Sequence, residues 1–331
     1  MAGAVTTAVW AGEAAAKVVL RANSQWAETN TNSQTDKWWA EEIAKRTNGE
    51  VEVKLYFGGA LGKAQENLDL LQQGAVDFAM MSPGYFPAQL PFEAAPNSIP
   101  MALSNVEQAS KLVMRLMNEV PEFTGEAERL GLKPLLFHHL NPYLLVCRDE
   151  VRGIDDMKGK KMRTWGEALP RAVEAVGATP VTLFLPELYE GLAHGTVDCI
   201  PFSVDLMVDY KIYEVAKHVM DITIWEGPTA GTYMAISAWN RLTPEQQQIV
   251  LEVSHEAMLR DRDAVIAAGE RAADELRAKG VQFHAFPKEE AAAWRALNPD
   301  FFADFVAAQA ERGHREDAEK MIAIWKEVQA E

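Results

Sequence analysis

Apolar runs and amphipathic segments alternate through the first two thirds of the chain. Runs that are apolar or that alternate with polar residues predict strands at 18–22, 51–57 and 76–81. The segments between these runs have the apolar spacing of helices and end at Gly49 and Gly74. Such a β-α-β-α-β order predicts a largely parallel sheet that is covered by helices.

A second series of the same kind begins near residue 152. Its strands are predicted at 161–164, 179–183 and 197–201, and further strands are predicted at 135–137 and 143–146 before it and at 232–237 after it, the last of them a candidate crossing between lobes. The joint at 74–77 (Gly-Ala-Val-Asp) recurs at 195–198 (Gly-Thr-Val-Asp), in each case between a predicted helix and a predicted strand. The repetition predicts that one helix-turn-strand joint is used in each of two lobes.

A proline-rich segment, residues 82–101, interrupts this order. Its prolines are Pro83, Pro87, Pro91, Pro96 and Pro100. Because proline disrupts helices and central strands, the segment is predicted to be a long loop, and such loops in compact domains are usually functional. Tyr85 and Phe86 within it are candidate ligand contacts. Ser104 and Glu107 then predict a capping box that starts the next helix.

The last third of the chain is predicted to be helical. Thr243, Pro244 and Gln246 form a strong start for a long helix that runs to about Lys279. Further helices are predicted at 289–296, 299–310 and 314–328.

Charge and composition narrow the functional classes. The 331 residues suggest about two domains, and the net charge of −16 opposes binding to phosphate backbones, so no nucleic-acid partner is predicted. No stretch approaches the roughly 18 apolar residues that a membrane-spanning helix needs. Cys147 and Cys199 are too few for a disulfide scaffold or a four-thiolate metal site. A disulfide between them is chemically allowed, but sequence does not establish its geometry.

The first sixteen residues resemble the end of a secretory signal. Small residues stand at Ala14 and Ala16, as before a signal cleavage site, although Glu13 is present and a basic n-region is missing. We therefore expect residues 1–16 to be the remnant of an export signal. The alternative is the frayed tail of a cytosolic protein.

Arg163 is the most informative candidate for ligand binding. It lies in the predicted strand 161–164, next to Trp165 and Gly166, and its guanidinium offers a planar fork for a carboxylate if that strand ends at a cleft. The alternative is a solvated arginine in a basic cluster with Lys158, Lys160 and Lys161.

Motifs for catalysis, cofactors and metals are weak in this sequence. His138 and His139 are adjacent in a predicted strand, where side chains point to opposite faces, and no acidic partner has a recognisable spacing. Neither metal binding there nor a Cys147 nucleophile is favoured. The sequence has no nucleotide-binding glycine motif and no zinc or hydrolase motif. We therefore predict no cofactor, no metal and no enzymatic activity.

Three segments carry a family resemblance: GEVEVKLYFGGALGKAQENLDLLQQGAVDFAMMSPGYF, IDDMKGKKMRTWG and VGATPVTLFLPELYEGLAHGTVD. Over roughly residues 18–310 the chain resembles the solute-binding proteins of tripartite ATP-independent periplasmic (TRAP) transporters, the C4-dicarboxylate type. The resemblance implies an α/β, two-lobed, periplasmic-binding-protein-like fold with a central cleft and a long C-terminal helix. It also implies lobe closure around a small organic acid, a periplasmic location, a monomer and TRAP membrane subunits as partners.

The resemblance also divides the chain. Residues 17–145 are expected to form mainly lobe 1 and residues 146–235 mainly lobe 2. Residues 236–331 are expected to form the long helix and the C-terminal helices that pack across both lobes.

The resemblance places the family's carboxylate-pairing arginine on Arg163 and a pocket-lining apolar residue near Leu185. Where the family has an asparagine after the Val-Asp pair, this chain has Phe202. Losing that amide favours a monocarboxylate with an apolar or aromatic body over a sugar acid or a C4 dicarboxylate. The predicted ligand-binding residues are Arg163, Trp165, Phe202, Leu185, Tyr85, Ser82 and Asn23.

Two other functions stay open at this point. One is an enzyme on a similar two-lobed fold, and the other is a sensor protein that delivers its ligand to a signalling receptor. The sequence does not name the ligand, nor does it distinguish a carboxylate from a sulfonate.

Overall fold

The computed structural model describes residues 17–227 and 230–331, so the predicted export-signal segment 1–16 lies outside the described residues. The strands are β1 (Val18–Asn23), β2 (Val51–Tyr56), β3 (Phe78–Met81), β4 (Leu132–His138), β5 (Tyr143–Cys147), β6 (Lys161–Thr164), β7 (Thr179–Thr182), β8 (Cys199–Phe202), β9 (His218–Trp225), β10 (Ala230–Ala235) and β11 (Gln282–Ala285).

The helices cover both sheets and form most of the C-terminal third. They are α1 (Thr31–Arg46), α2 (Asn67–Gln72), α3 (Pro91–Ser98), α4 (Val106–Glu119), α5 (Pro121–Arg129), α6 (Ala168–Glu174), α7 (Leu188–Ala193), α8 (Val204–Asp209), α9 (Ile236–Trp239), α10 (Pro244–Ala278), α11 (Lys288–Leu297), α12 (Phe301–Glu311) and α13 (Arg315–Gln329). Within residues 17–227 and 230–331, each helix is too short or too polar to span a bilayer.

The strands form two sheets, each with its own apolar core. The first sheet has the order β2-β1-β3-β10-β4, and the second has the order β11-β9-β5-β8-β6-β7. β1 is parallel to β2 and β3, as predicted, whereas β10 is antiparallel to both of its neighbours. The predicted two-lobed α/β fold is therefore confirmed.

The chain crosses between the sheets more than once. It leaves the first sheet after β4, builds the second sheet from β5 onward, and returns to the first sheet at β10. β10 therefore belongs to the first sheet, although it lies at the end of residues 146–235, which were expected to form mainly lobe 2. β11, which the sequence pattern does not predict, returns to the second sheet and pairs with β9.

The predicted long helix is α10, which begins after Thr243. The Thr243 hydroxyl accepts a hydrogen bond from the Gln246 backbone N–H, which completes the predicted cap. α10 packs against α1 and β4 of the first lobe and against α8 of the second. One of its polar contacts is the bond from Trp39 Nε1 to Ser254 Oγ, at 2.9 Å. This helix therefore supports both lobes.

The repeated joint predicted from the sequence is confirmed. Gly74 and Gly195 both adopt the left-handed conformation, with φ of 67° and 69°, which turns the chain out of the preceding helix. The aspartate at the end of each joint then accepts a hydrogen bond from the backbone of the neighbouring parallel strand. The Asp77 carboxylate accepts the Arg21 N–H at 2.7 Å, and the Asp198 carboxylate accepts the Lys161 N–H at 2.8 Å.

The proline-rich segment contains a helix, so its prediction as a continuous loop is wrong. Helix α3 starts with Pro91 at its first position, where proline costs no hydrogen bond, and Pro96 lies in its last turn. The Glu126 carboxylate accepts the free N–H groups of Phe92 and Glu93, at 2.9 and 2.7 Å. The start of α3 is therefore capped by a side chain of α5. Because this residue is distant in the chain, the sequence around α3 does not predict the cap.

The capping box predicted at Ser104 and Glu107 is also wrong, by one residue. Asn105 is the N-cap of α4, and its side chain accepts the Gln108 N–H at 2.8 Å. The Gln108 side chain in turn accepts the Ser104 N–H at 3.0 Å.

The two cysteines form a disulfide that joins neighbouring strands. Cys147 on β5 lies opposite Cys199 on β8 in the antiparallel register, and both residues are fully buried. The bond closes a chain segment with a sequence separation of 52 residues. It therefore restricts the unfolded chain and fits an oxidising compartment.

Removing this disulfide is expected to lower the free energy of unfolding by roughly 2–4 kcal/mol, because the unfolded chain regains the entropy of an open loop. Urea unfolding of the wild type with and without dithiothreitol measures the effect. The Cys147→Ser/Cys199→Ser variant is the matched control, since it should unfold at the reduced midpoint whether or not the reductant is present. Equal midpoints for oxidised and reduced wild type would contradict the expectation.

Candidate functional site

A cavity of about 340 Å³, including its open mouth, lies between the two lobes. Ser82 and Gln25 reach it from the carboxyl ends of β3 and β1, and Arg163 and Leu185 reach it from β6 and the end of β7. Because parallel strands present their carboxyl ends at one edge of a sheet, both sheets bring side chains to the same crevice. The space in it that a water-sized molecule can occupy is only about 20 Å³, room for about one water molecule, so the lobes must separate to admit a ligand.

Arg163 supplies the positive charge of the cavity, although it is only 3% exposed. Its Nε donates to the Leu183 carbonyl at 3.2 Å, and its Nη2 donates to the Tyr85 hydroxyl at 3.5 Å. Its guanidinium carbon lies 4.2 Å from the centre of the Trp165 ring. The third nitrogen, Nη1, has no hydrogen-bond partner in the described part of the chain.

No carboxylate of the described cavity lining balances this guanidinium. Among the described residues that line the cavity, none is acidic, and Arg163 is the one residue with a permanent positive charge. A buried cation that lacks a counter-charge is unfavourable until an anion reaches it. The arrangement therefore provides a ready site for a small anion.

Tyr85 connects the two lobes across the cavity. It lies in a 3₁₀ turn (Pro83–Tyr85) of the first lobe, and its hydroxyl accepts the Leu185 N–H of the second lobe at 3.2 Å. Trp165 makes a second connection, since its Nε1 donates to the Asn97 carbonyl at 2.7 Å. The Trp225 Nε1 donates to the Pro96 carbonyl at 3.2 Å. These bonds hold the two lobes against each other around the cavity.

Aromatic rings form one wall of the cavity. Tyr143 lies 5.0 Å from Trp225 and 5.9 Å from Trp165 between ring centres, and the three rings meet edge to face. Burial raises the pKa of the Tyr143 hydroxyl well above its ordinary value, although Arg163 partly opposes this shift. Tyr143 is therefore a neutral phenol at physiological pH.

Five of the seven predicted binding residues line the cavity: Arg163, Trp165, Leu185, Tyr85 and Ser82. Asn23 and Phe202 do not. The Asn23 amide donates to Gly62 O at 3.0 Å and to Asn67 Oδ1 at 2.7 Å, so it fixes the loop after β2. Phe202 is fully buried in the second core, where its ring contacts the Tyr143 and Tyr210 rings at 5.6 and 6.2 Å. Both residues support the walls instead of lining them.

Several lining residues were not predicted: Gln25, Trp26, Asn97, Leu140, Tyr143 and Trp225. Most of them lie next to a strand end at the cleft, as Tyr143 does at the start of β5 and Trp225 at the end of β9. Collecting the residues that flank the predicted strand ends would have found most of this set.

A buried charged cluster lies directly behind the cavity wall. Asp261 of α10 accepts a hydrogen bond from the His139 N–H at 2.7 Å and from Asn32 Nδ2 at 3.0 Å, and its carboxylate lies 3.0 Å from His138 Nδ1. On the other side, His138 Nε2 lies 3.1 Å from the Asp36 carboxylate. The His138 ring also contacts the cavity-lining Trp26 at 4.8 Å between ring centres.

This cluster corrects the interpretation of the two histidines. Both Nδ1 atoms face the same carboxylate, with His139 Nδ1 at 3.3 Å from Asp261, because His138 ends β4 and His139 already lies outside the strand. Burial alone would lower the pKa of His138, but Asp261 and Asp36 overcome it and raise that pKa to about 10. Burial would likewise raise the pKa of Asp261, yet His138 and His139 hold it well below its usual range. The cluster is therefore a buried ion pair.

One group of side chains elsewhere has the spacing of metal ligands. In the described ranges, ligand atoms of Glu122, His314 and Asp317 lie within 4.8 Å of one another. Arg129, however, already pairs with both oxygens of Glu122. A guanidinium on the shared carboxylate competes with a metal ion, and none of these residues lines the interlobe cavity.

Comparison with known proteins identifies the family. The model of bacterial extracellular solute-binding protein family 7, DctP, matches residues 22–309. The C4-dicarboxylate-binding periplasmic protein DctP of Rhodobacter capsulatus is 25% identical over 277 residues, which are 81% of this chain and 82% of that protein.

Solved structures show the same fold. A TRAP periplasmic solute-binding protein from Desulfovibrio salexigens, with bound orotic acid, superposes with a TM-score of 0.83 at 22% identity and covers 95% of this chain and 99% of that one. An extracytoplasmic solute receptor of Bordetella pertussis that binds pyroglutamic acid gives 0.84 at 20% identity, with coverage of 93% and 99%.

These matches confirm the resemblance stated from the sequence and the predicted periplasmic location. They also set aside the alternative of an enzyme, since the family consists of binding proteins. The chain belongs to the DctP family, bacterial extracellular solute-binding protein family 7.

Proposed function

We propose that this protein captures a small monocarboxylate with an apolar or aromatic body in the interlobe cavity and delivers it to TRAP membrane subunits. Arg163 pairs with the ligand carboxylate, and the two lobes close over the rest of the molecule. The protein acts as a monomer and without a nucleic-acid partner.

The unpaired guanidinium nitrogen carries this proposal. Two of the three nitrogens of Arg163 are held by Leu183 and Tyr85, so the guanidinium is fixed in position while Nη1 has no partner among the described residues. A carboxylate that accepts a hydrogen bond from Nη1 supplies both the missing acceptor and the missing negative charge. Such charge-assisted bonds are stronger than bonds between neutral groups.

The remaining walls support a single acidic group and an apolar body. Apart from Arg163, no permanently charged side chain lines the cavity among the described residues, so a second carboxylate would be buried without a cation. Trp26, Tyr143, Trp165 and Trp225 instead offer aromatic surface. Orotic acid and pyroglutamic acid, the ligands of the two structural neighbours, are compact ring acids with a single carboxyl group, whereas the Rhodobacter relative binds C4 dicarboxylates.

A thermal-shift screen tests the ligand class. The panel contains compact ring and aromatic monocarboxylates, sugar acids and C4 dicarboxylates, with the primary amide of each ring acid as its uncharged control. We expect a ring or aromatic monocarboxylate to raise the melting temperature by several degrees and its amide to have no effect, because a ligand that binds only the folded state stabilises it. Stabilisation by sugar acids or dicarboxylates alone would refute the proposed body, and equal shifts by acid and amide would refute the proposed pairing.

A further inference from the structure

We infer that Gln25 selects ligands that carry a neutral hydrogen-bond donor, an N–H or O–H group, in addition to the carboxylate. This inference rests on the proposed function, since it concerns the same cavity. It adds a second point of recognition, which the family comparison does not assign and which lies in the lobe opposite Arg163.

The Gln25 side chain has an acceptor that the protein leaves unused. Gln25 follows β1, lines the cavity and is only 3% exposed. Its Nε2 donates to the Ser82 hydroxyl at 3.1 Å, which orients the amide. Its Oε1 is buried and has no hydrogen-bond partner among the described residues. A buried acceptor normally has a hydrogen-bond partner, and a ligand in the cavity that Gln25 lines can supply one.

The chemistry of the cavity limits the missing partner to a neutral donor. An ammonium group would lie in the same small cavity as the Arg163 guanidinium, and no acidic side chain lines that cavity among the described residues to balance it. A ligand acceptor would face the negative end of the Gln25 carbonyl. A neutral N–H or O–H satisfies Oε1 and adds no charge.

The two lobes then recognise different parts of one ligand. Arg163 belongs to the second sheet and binds the carboxylate, whereas Gln25 belongs to the first sheet and binds the neutral donor. A ligand with only one of these groups leaves a polar atom of the other lobe buried and unpaired. A ligand with both groups gains both bonds only when the lobes are closed, so it favours the closed state.

A site built around a hydrogen bond discriminates strongly against a ligand that lacks the bonding group. The cost of leaving one buried acceptor unpaired corresponds to roughly a 5- to 100-fold loss of affinity. Pyrrole carboxylates and furan carboxylates provide matched probes, because the two rings have nearly the same size and the carboxylate is identical, while only pyrrole has an N–H donor.

Calorimetric titration of the wild type with the 2- and 3-carboxylates of pyrrole and furan tests the inference without any variant. In at least one positional pair, we expect the pyrrole acid to bind roughly 5- to 100-fold more tightly than the furan acid. Equal affinities in both pairs, or a preference for furan, would overturn the inference. Failure of all four acids to bind would instead contradict the proposed monocarboxylate function, so the two failures are distinguishable.

The Gln25→Met variant then assigns the preference to this side chain. Methionine has similar length and volume but offers no comparable acceptor, so we expect the ratio of the pyrrole affinity to the furan affinity to fall to within about twofold. A preference that persists in this variant would show that another group accepts the donor. Thermal unfolding of the ligand-free variant establishes that it is folded before it is titrated.

Discussion

Replacing Arg163 with alanine is expected to weaken binding of the best acid of the screen by roughly 30-fold to several thousand-fold, the usual cost of truncating one partner of a buried charge pair. Among the described residues that line the cavity, Arg163 carries the one permanent positive charge, and its Nη1 has no hydrogen-bond partner. Without this guanidinium, the ligand carboxylate would be buried against aromatic rings. Calorimetric titration measures the loss.

Arg163→Lys is expected to weaken binding as well. An ammonium group cannot donate to Leu183 O and to the Tyr85 hydroxyl and still reach the ligand in the geometry that the planar guanidinium provides. The matched control is Arg171→Ala on the adjacent helix α6, because Arg171 is half-exposed and pairs with Asp304 at the surface. That variant removes the same charge from the same lobe and should bind within a few-fold of the wild type. Near-native affinity in Arg163→Ala would place the ligand elsewhere.

The fold could be predicted because its signals are local. The alternation of apolar and polar residues fixes which segments become strands, and the recurring Gly-x-Val-Asp joint appears in the structure with the same turn and the same aspartate bond in both lobes. The Thr243 cap is equally local, since its partner Gln246 is three residues away. Contacts within a few residues leave a pattern in the sequence.

Apart from the capping box predicted at Ser104, which is off by one residue, the errors arose where the partner is distant in the chain. Helix α3 is capped by Glu126, a residue 34 positions from Phe92, so the prolines alone indicated a loop. The disulfide register and the bond from His138 to Asp261, 123 positions apart, likewise have no local pattern.

The candidate site could be predicted only in part, for a related reason. Arg163 was found because the family resemblance marks it, and Trp165 was found because it lies beside Arg163 at the end of a predicted strand. Asn23 was predicted two positions before Gln25, which is the residue that lines the cavity, because a strand pattern does not show where the strand stops. Phe202 lies at the expected place in β8, but its ring packs into the core behind Tyr143. Which side chains of a strand end reach a cleft depends on the packing of both lobes.

The buried ion pair of His138 and Asp261 leads to the second large effect. Asp261→Asn is expected to lower the free energy of unfolding by roughly 3–5 kcal/mol at pH 6, because it leaves a protonated or poorly paired imidazole inside the core. Asp36 alone would then face His138, and the bonds from Asn32 and His139 would lose their charged acceptor. Urea unfolding measures the change.

Asp263→Asn provides the matched control on the same helix, since Asp263 is exposed and pairs with its neighbour Arg262. The free energy of unfolding of this variant should stay within about 0.5 kcal/mol of the wild type. A loss in Asp261→Asn no larger than that of the control would show that the buried pair does not contribute to stability.

The pH dependence separates this ion pair from a merely well-packed contact. The pKa of His138 rises from 6.5 to about 10 on folding, so its contribution to stability is fully present below pH 6.5 and is lost as the pH rises towards 10. The pKa of Asp261 falls below its ordinary 3.8, so its contribution is present above that pH and is lost as the pH falls. The stability gap between wild type and Asp261→Asn should therefore be largest near pH 5–6 and should shrink in urea titrations at pH 8 and 9.5. A gap that is constant or grows with pH would show that His138 is neutral in the folded protein and that Asp261 acts only as a hydrogen-bond acceptor.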